Sequence, residues 1–428
     1  MLEWGCVADD MTGATDLATN LVERGIKTVL LLQPFRADGT VDSDGVLPQR
    51  IDGAEAVVVA LKSRNAPVSV ALAQSLAAVD YLRQLGAGRF YIKYCSTFDS
   101  TARGNIGPVI DAVLERLGES ITIVVPSFPD AGRTVYQGHL FVGGDLLSDS
   151  PMRFHPLNPM SDSSLLRLLG AQTQHAVALI DLATVRSGPA AVAQALNRLR
   201  AQGPVSVVVD AIDRSDLVTI MRAGESLRLV TGGSGLALGL PSRPNAEARS
   251  IPVVPGRRFI LCGSASAQTR AQIAWAQPRL PALKLDLEAL ARNFDTTVAI
   301  MASWAEQRWR QDPAAVPLIH SVKELDDVVD YRAAAELVER AMGALARSLV
   351  AGGGRQFIVA GGETSGRVMA DLGVRRLRIG QAIAPGVAWS VATTDRDDQF
   401  NVALKSGNFG DVDMFTQAWS LLREGGPV

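Results

Sequence analysis

Two adjacent carboxylates, Asp9 and Asp10, stand between an apolar segment and a helix-like pattern near the start of the chain. The residues before them, Gly5 to Val7, read as a strand, and the residues after them repeat apolar side chains with a period of 3.6. In open α/β sheets, ligands bind at the carboxyl ends of the strands. Two neighbouring carboxylates at that position suit a metal ion, a polyol or a proton that must be removed.

The same carboxylates have a plainer interpretation, because Asp often caps the N-terminus of a helix. Thr12, followed by Gly13, is the better placed cap in this sequence. We therefore expect the helix to begin there and both carboxylates to be left for function. Gly25 is expected to end the helix in a left-handed conformation, and a strand follows over 28–32. The chain thus opens with a β-α-β unit.

Basic and hydroxyl residues follow other strand-like segments of the first half, in ALKSRN (60–65), KYCSTFDSTARGNIG (93–107) and PSFPDAGRTVYQGH (126–139). At one edge of a sheet, such groups would bind a small anion such as a sugar acid. Surface charges that never converge are the alternative. The candidate residues are Lys62, Arg64, Lys93, Ser96, Asp99 and Arg133.

Three strand-like segments of the second half lead into turns of glycine and hydroxyl residues, in FILCGSAS (259–266), RQFIVAGGETSG (355–366) and NVALKSGNFG (401–410). Glycine lets the backbone approach a ligand, and hydroxyls and helix N-termini bind phosphate oxygens. Three such turns predict a nucleotide site. The segment GGETSGRV (361–368) lacks the lysine and hydroxyl of a P-loop. Lys405 either supplies the missing charge or is a solvated loop residue.

The composition excludes several classes of protein. A formal net charge of −2 gives no reason to expect a nucleic acid or an anionic membrane as partner. Three cysteines are too few for a disulfide framework, and the histidines show no metal-ligand spacing. The N-terminus lacks a signal-peptide pattern, and no apolar run is long enough to span a bilayer. A cytoplasmic location is therefore expected.

Strand-like and helix-like segments alternate along all 428 residues, which predicts an α/β fold with more than one core. In the first half, strands are expected over 4–8, 28–33, 56–61, 89–95, 121–125, 176–181, 205–210 and 228–231. Helices are expected over 67–86, 105–117, 188–201 and 213–223, and a hairpin over 134–142. Residues 241–257 are rich in proline, glycine and charge, as a linker would be. We expect two α/β domains, 1–240 and 258–428, with mostly parallel sheets and an active-site cleft between them.

Taken in order, these motifs resemble those of the four-carbon acid sugar kinases. The resemblance covers essentially the whole chain and implies a sugar-acid-binding N-terminal domain and a nucleotide-binding C-terminal domain. It implies ATP-dependent phosphorylation of the 4-hydroxyl of a four-carbon sugar acid. Within the family, the sequence is most similar to the kinases of 3-oxo-tetronates, and D-threonate or D-erythronate is the alternative substrate. The motifs are ADDMTGATD (8–16), ALKSRN, KYCSTFDST with GNIG, GRTVYQGHLFV, HPLNPMSDS (155–163), GSAS, GGETSG, IAPGVAW (383–389) and ALKSGNFG.

The resemblance also implies residue roles. The ATP contacts would be Ser264, Ser266, Gly361, Gly362, Glu363, Thr364, Gly407 and Asn408. For in-line transfer, Asp10, with Asp9 as second choice, is assigned to the base or Mg²⁺ role. Lys62, Arg64, Lys93 and Arg133 would hold the substrate carboxylate, and Asp99 a hydroxyl.

ATP and Mg²⁺ are the expected cofactors, while the metal ligands stay unknown. The oligomeric state stays open, with a homo-oligomer compatible with the sequence. Two other functions were weighed. A phosphohydrolase of the haloacid dehalogenase type is disfavoured, because the pattern Asp-x-Asp-x-Thr is missing. A non-catalytic sugar-acid-binding protein is the other alternative.

Overall fold

The computed structural model describes residues 2–41, 47–48, 51, 53–155, 158–322 and 331–422. The chain divides into two compact units, Met1–Asn245 and Ala246–Val428. The division falls within the linker expected over 241–257. No helix in the described part of the chain is long and apolar enough to cross a membrane.

The first unit alternates strands and helices over most of its length. Its strands are β1 (Trp4–Ala8), β2 (Thr28–Leu32), β3 (Ala56–Ala60), β4 (Arg89–Lys93), β5 (Ile121–Val125), β6 (Arg133–Tyr136), β7 (His139–Val142), β8 (Asp145–Leu146), β9 (Ala176–Ile180), β10 (Val205–Val209) and β11 (Leu229–Gly232). Its helices are α1 (Met11–Glu23), α2 (Val68–Gln84), α3 (Ile106–Leu117), α4 (Leu165–Gly170), α5 (Leu182–Arg186), α6 (Pro189–Arg200) and α7 (Arg214–Ala223).

The main sheet of this unit is parallel, with its strands in the order β2-β3-β1-β4-β11-β5-β10-β9. Apolar, β-branched runs such as AVVVA in β3 are buried along their whole length, because helices cover both faces of such a sheet. The expected hairpin is present as β6 and β7, and β8 adds a third antiparallel strand. The structure confirms the α/β fold class and the predicted strands of this half to within one or two residues.

The second unit has strands β12 (Arg257–Cys262), β13 (Ala282–Lys284), β14 (Leu318–His320), β15 (Gly354–Ala360), β16 (Val374–Ala384), β17 (Val387–Thr394) and β18 (Gln399–Lys405). Its helices are α8 (Ala267–Ala276), α9 (Leu287–Arg292), α10 (Phe294–Gln311), α11 (Tyr331–Ala351), α12 (Gly362–Asp371) and α13 (Met414–Gln417). The strand order is β13-β14-β12-β15-β18-β17-β16. The five neighbouring strands β13, β14, β12, β15 and β18 are parallel to one another. β17 pairs antiparallel with both β18 and β16.

Candidate active site

The carboxylate pair lies where β1 ends and α1 begins. Asp10, not Thr12, is the N-cap of α1: its backbone is extended, and its Oδ1 accepts a hydrogen bond from the N–H of Gly13 at 3.1 Å. The helix begins at Met11, so the expectation of a Thr12 cap was wrong, since Thr12 already lies in the first helical turn. Asp10 therefore has a structural task as well as any chemical one.

Arg64 connects the two carboxylates from the turn that follows β3. Its Nε and one terminal nitrogen donate to Asp9 Oδ2 and Oδ1 at 2.7 and 3.0 Å, which is a bidentate fork. The same terminal nitrogen donates to Asp10 Oδ1 at 2.6 Å. Asn105 holds this turn in place, because its side-chain amide donates to the backbone carbonyls of residues 63, 64 and 66. We did not predict a role for Asn105, although it lies in the motif GNIG (104–107).

Lys93, the last residue of β4, approaches the pair from the other side of β1. Its Nζ lies 3.3 Å from Asp10 Oδ1 and 3.8 Å from Asp9 Oδ1, and the residue is 4% exposed. Gly13 makes room for it, because a Cβ at position 13 would overlap the Lys93 ammonium and lie 2.6 Å from its Cε. Glycine is thus required here by close packing rather than by backbone conformation.

The charges of this cluster set the proton affinities of its members. Burial by itself would raise the pKa of Asp10, but Lys93, Arg64 and the N–H of Gly13 outweigh burial and lower the pKa to about 2. Burial opposes the charge of Lys93, and the two carboxylates nevertheless raise its pKa. Asp10 and Lys93 are therefore both ionised across the physiological pH range.

Asp99 lies at the edge of the same cluster and is buried. Its Oδ2 is 3.8 Å from Arg64, whereas its Oδ1 is buried with no hydrogen-bond partner among the described residues. A small cavity of about 30 Å³ is lined by Asp9, Arg64, Lys93 and Asp99 together with the hydroxyl residues Ser63 and Ser100. The structure thus brings these four residues together, and their roles stay predictions.

The other predicted residues of the first unit are distributed differently. Lys62 is exposed. Ser96 lies beside Gly233, because a Cβ added at Gly233 would be 3.3 Å from the Cβ of Ser96. Arg133 is partly buried, and its Nε has no hydrogen-bond partner among the described residues. The substrate-binding roles of these three residues stay predictions.

Asp16 is a further carboxylate whose role we did not predict. It is buried on α1, one helical turn after Gly13, and accepts a hydrogen bond from the hydroxyl of Ser234. Burial raises the pKa of Asp16, against the opposing effects of Ser234, Lys93 and Arg133. Its place at the end of the motif ADDMTGATD (8–16) is the sequence signal that could have identified it.

In the second unit, strand register brings the three glycine–hydroxyl turns side by side. Cys262 pairs with Ala360, and Ala360 pairs with Lys405, so β12, β15 and β18 end at the same level. The turns exchange contacts: the N–H of Ser264 donates to Ala360 O at 3.2 Å. Parallel strands with aligned ends therefore place all three turns at one edge, as the sequence predicted.

Two of the glycines in these turns have a structural requirement, Gly407 for close approach and Gly361 for its backbone conformation. A Cβ on Gly407 would overlap the hydroxyl of Ser264 and lie 2.9 Å from Ser266 Oγ. Gly361 has φ of +121°, which side-chain-bearing residues rarely adopt, and it precedes the first turn of α12. Ser266 caps α8 and donates to Gly407 O at 2.5 Å. Of the other predicted nucleotide contacts, Gly362 and Thr364 lie in the first turn of α12, while Glu363 and Asn408 are exposed.

Lys405 is the last residue of β18 and is 1% exposed, so the alternative of a solvated loop residue is excluded. Among the residues that the structure describes, no three His, Cys, Asp or Glu side chains are grouped so that they could hold a metal ion.

Two family models match the chain. Residues 4–240 match the family described as a sugar-binding N-terminal domain, and residues 259–415 match the family described as a nucleotide-binding C-terminal domain. A 3-oxo-tetronate kinase of Burkholderia multivorans is 45% identical over 97% of this chain and 96% of its own length. A 3-oxo-tetronate kinase of Salmonella typhimurium is 41% identical over 98% of this chain and 99% of its own.

Solved structures resemble both units as well. A Salmonella typhimurium LT2 protein described as a tRNA synthase is 41% identical, with a TM-score of 0.87 over 98% of this chain and 99% of its own. A Haemophilus influenzae protein is 37% identical, with a TM-score of 0.81 over 98% of this chain and 100% of its own.

Proposed function

Because this chain belongs to the four-carbon acid sugar kinase family, we propose that it transfers the terminal phosphoryl group of ATP to the 4-hydroxyl of a 3-oxo-tetronate. The observation that carries the proposal is the cluster of Asp9, Asp10, Arg64 and Lys93 in the unit that matches the sugar-binding family. The glycine–hydroxyl turns of the other unit supply the matching nucleotide site.

Asp10 is the proposed acceptor for the reacting hydroxyl. Arg64 occupies both oxygens of Asp9, whereas the hydrogen bonds of Asp10 with described donors all use Oδ1. Oδ2 of Asp10 is thus left to accept the hydroxyl proton. With a pKa of about 2, this carboxylate is a weak base. It orients the hydroxyl and takes the proton late, as suits a loose phosphoryl-transfer transition state.

Arg133 is the proposed partner of the substrate carboxylate. Arg64 and Lys93 already neutralise Asp9 and Asp10, whereas Arg133 keeps an unpaired, buried N–H donor. An arginine can bind a carboxylate through two parallel hydrogen bonds. Asp99, whose Oδ1 has no hydrogen-bond partner among the described residues and lies 3.7 Å from His155 Nδ1, is the proposed acceptor for a substrate hydroxyl.

MgATP is the proposed phosphoryl donor. Ser264, Ser266, the segment 361–364, Gly407 and Asn408 are the proposed contacts of its phosphates and ribose. Since Arg64 and Lys93 already pair with Asp9 and Asp10, Mg²⁺ would be held chiefly by phosphate oxygens and water. The ion would neutralise phosphate charge during transfer.

An activity assay over several four-carbon acids distinguishes a 3-oxo-tetronate from other substrates. The purified chain is incubated with MgATP and, in turn, the 3-oxo-tetronates, D-threonate and D-erythronate, and ADP release is measured. We expect the highest kcat/KM with a 3-oxo-tetronate and a 4-phosphate product by NMR. A higher kcat/KM with D-threonate or D-erythronate would replace the substrate within the same family. ATP binding without any product would contradict the kinase proposal and favour a sugar-acid-binding protein.

A further inference from the structure

Lys405 is a buried lysine at the proposed nucleotide site. It ends β18 in register with Ala360, directly below the turn formed by residues 406–410. Its side chain is directed inward: Nζ donates to Thr269 Oγ1 at 2.9 Å and to Gly407 O at 3.0 Å. The amine therefore connects the turn that carries Gly407 to the first turns of α8.

The carbonyl of Gly407 is held by several donors at once. It accepts hydrogen bonds from Ser266 Oγ at 2.5 Å, Thr269 Oγ1 at 2.9 Å and the Lys405 amine. Of these three donors only the amine is charged, and a charged donor forms the stronger bond. The protonated amine is thus the strongest of the three donors that orient the Gly407 peptide.

The ammonium of Lys405 lacks a carboxylate counter-ion within the part of the chain that the structure describes. No carboxylate of the described residues forms an ion pair with it, although buried charges are normally paired. The titratable group that faces it is the buried thiol of Cys262 on β12. On the neighbouring helices, Arg270 of α8 donates a hydrogen bond to Ala265 O, and Glu363 of α12 is exposed.

We propose that Lys405 is a positioning residue of the nucleotide site: its ammonium orients the Gly407 turn and takes the phosphates of the bound nucleotide as its missing counter-ion. This inference rests on the proposed binding of ATP at the same three turns. It also accounts for the lysine missing from GGETSGRV (361–368), because the charge is supplied from beneath the neighbouring turn.

The protonation of Lys405 and nucleotide binding must then be coupled. Burial lowers the pKa of Lys405 to about 8, with only a small opposing effect from Cys262. Bound phosphate favours the ammonium and would raise this pKa. Affinity for the nucleotide is therefore highest below pH 8 and falls as the pH rises above it. From linkage, the fall between pH 7 and pH 9 is about tenfold.

Isothermal titration calorimetry of the full chain with MgATP tests this coupling. At pH 8.2 about 0.6 of the Lys405 amines are neutral, so binding should take up as much as about 0.6 proton per nucleotide. Proton uptake makes the measured enthalpy differ between Hepes and Tris, which have different ionisation enthalpies. A residue that only supports the fold would not produce this difference.

Variants test whether Lys405 is the group that takes up the proton when MgATP binds. Lys405→Met should abolish both the buffer dependence and the fall in affinity with pH, while Lys284→Met, at an exposed lysine of the same unit, should keep both. Thr269→Val removes one acceptor of the amine and should shift the fall in affinity to lower pH. This variant and the wild-type titration decide the question if Lys405→Met does not fold.

MgATP binding whose enthalpy is independent of buffer and whose affinity is constant from pH 7 to pH 9 would overturn the role of Lys405 and leave nucleotide binding intact. Proton uptake that persists in folded Lys405→Met would also overturn it. A chain that binds no nucleotide at any pH would instead contradict the proposed function itself.

Discussion

Replacing Asp10 by Asn would remove one charge of the candidate active site and keep the cap of α1. Asn caps helices as well as Asp does, and its side-chain oxygen can still accept the N–H of Gly13. The interactions of the carboxylate with Lys93 at 3.3 Å and with Arg64 at 2.6 Å would lose their ionic character. The change therefore separates the charge of Asp10 from its capping role.

The expected loss of stability follows from the pKa of Asp10. Its value of about 2 lies below the ordinary 3.8, and each pKa unit corresponds to about 1.36 kcal/mol. The ionised carboxylate thus stabilises the folded protein by about 2 kcal/mol. Because the pKa is lowered, this contribution is present above about pH 4 and is lost as the pH falls toward 2. The two proteins should therefore differ at pH 7 and converge near pH 2.

Activity is expected to fall much further than stability. Loss of a base or orienting acceptor lowers kcat by about 10²–10⁴, which ADP release measures directly. Asp181→Asn is the matched control, since Asp181 caps α5 by accepting the N–H of Thr184 at 2.9 Å and is exposed. It should leave kcat unchanged. If Asp10→Asn lost about 2 kcal/mol in urea denaturation but kept kcat within about threefold of wild type, Asp10 would be a structural residue only.

Three further substitutions test the site. Gly13→Ala places a Cβ on the Lys93 ammonium and should lower kcat at least tenfold, whereas Gly170→Ala, in a helix with open space around it, should not; equal activities would refute the packing argument. Gly407→Ala places a Cβ against the hydroxyls of Ser264 and Ser266. It should raise the KM for ATP at least tenfold with little change in the KM for the sugar acid. The reverse pattern would show that the nucleotide does not bind at this turn. Arg133→Gln should raise the KM for the sugar acid by a factor of ten or more, and an unchanged KM would remove Arg133 from the carboxylate site.

The parts of the fold that could be predicted are those with strong local signals. Buried parallel strands such as β3 and β5 are continuous apolar runs, and the helices between them carry apolar faces with a 3.6-residue period. The long pair β16 and β17 was not predicted. β16 mixes charged and apolar residues and register shifts interrupt its alternation, whereas β17 is uncharged and buried throughout. Strands of this kind depend on pairing more than on local pattern.

By itself, the sequence determined the alternation of strands and helices and the placing of polar residues at strand ends. Since parallel strands end at one edge of a sheet, these facts made Asp9, Asp10, Arg64 and Lys93 candidates for one site, with surface charges that never converge as the alternative. Only the tertiary structure decided how they meet. Arg64 and Lys93 lie 54 and 83 residues from Asp10 in the chain, and their contacts with Asp9 and Asp10 decide which carboxylate oxygens are occupied. The same holds for Lys405, because the contacts of its side chain with α8, 136 residues away, decide that its charge is buried.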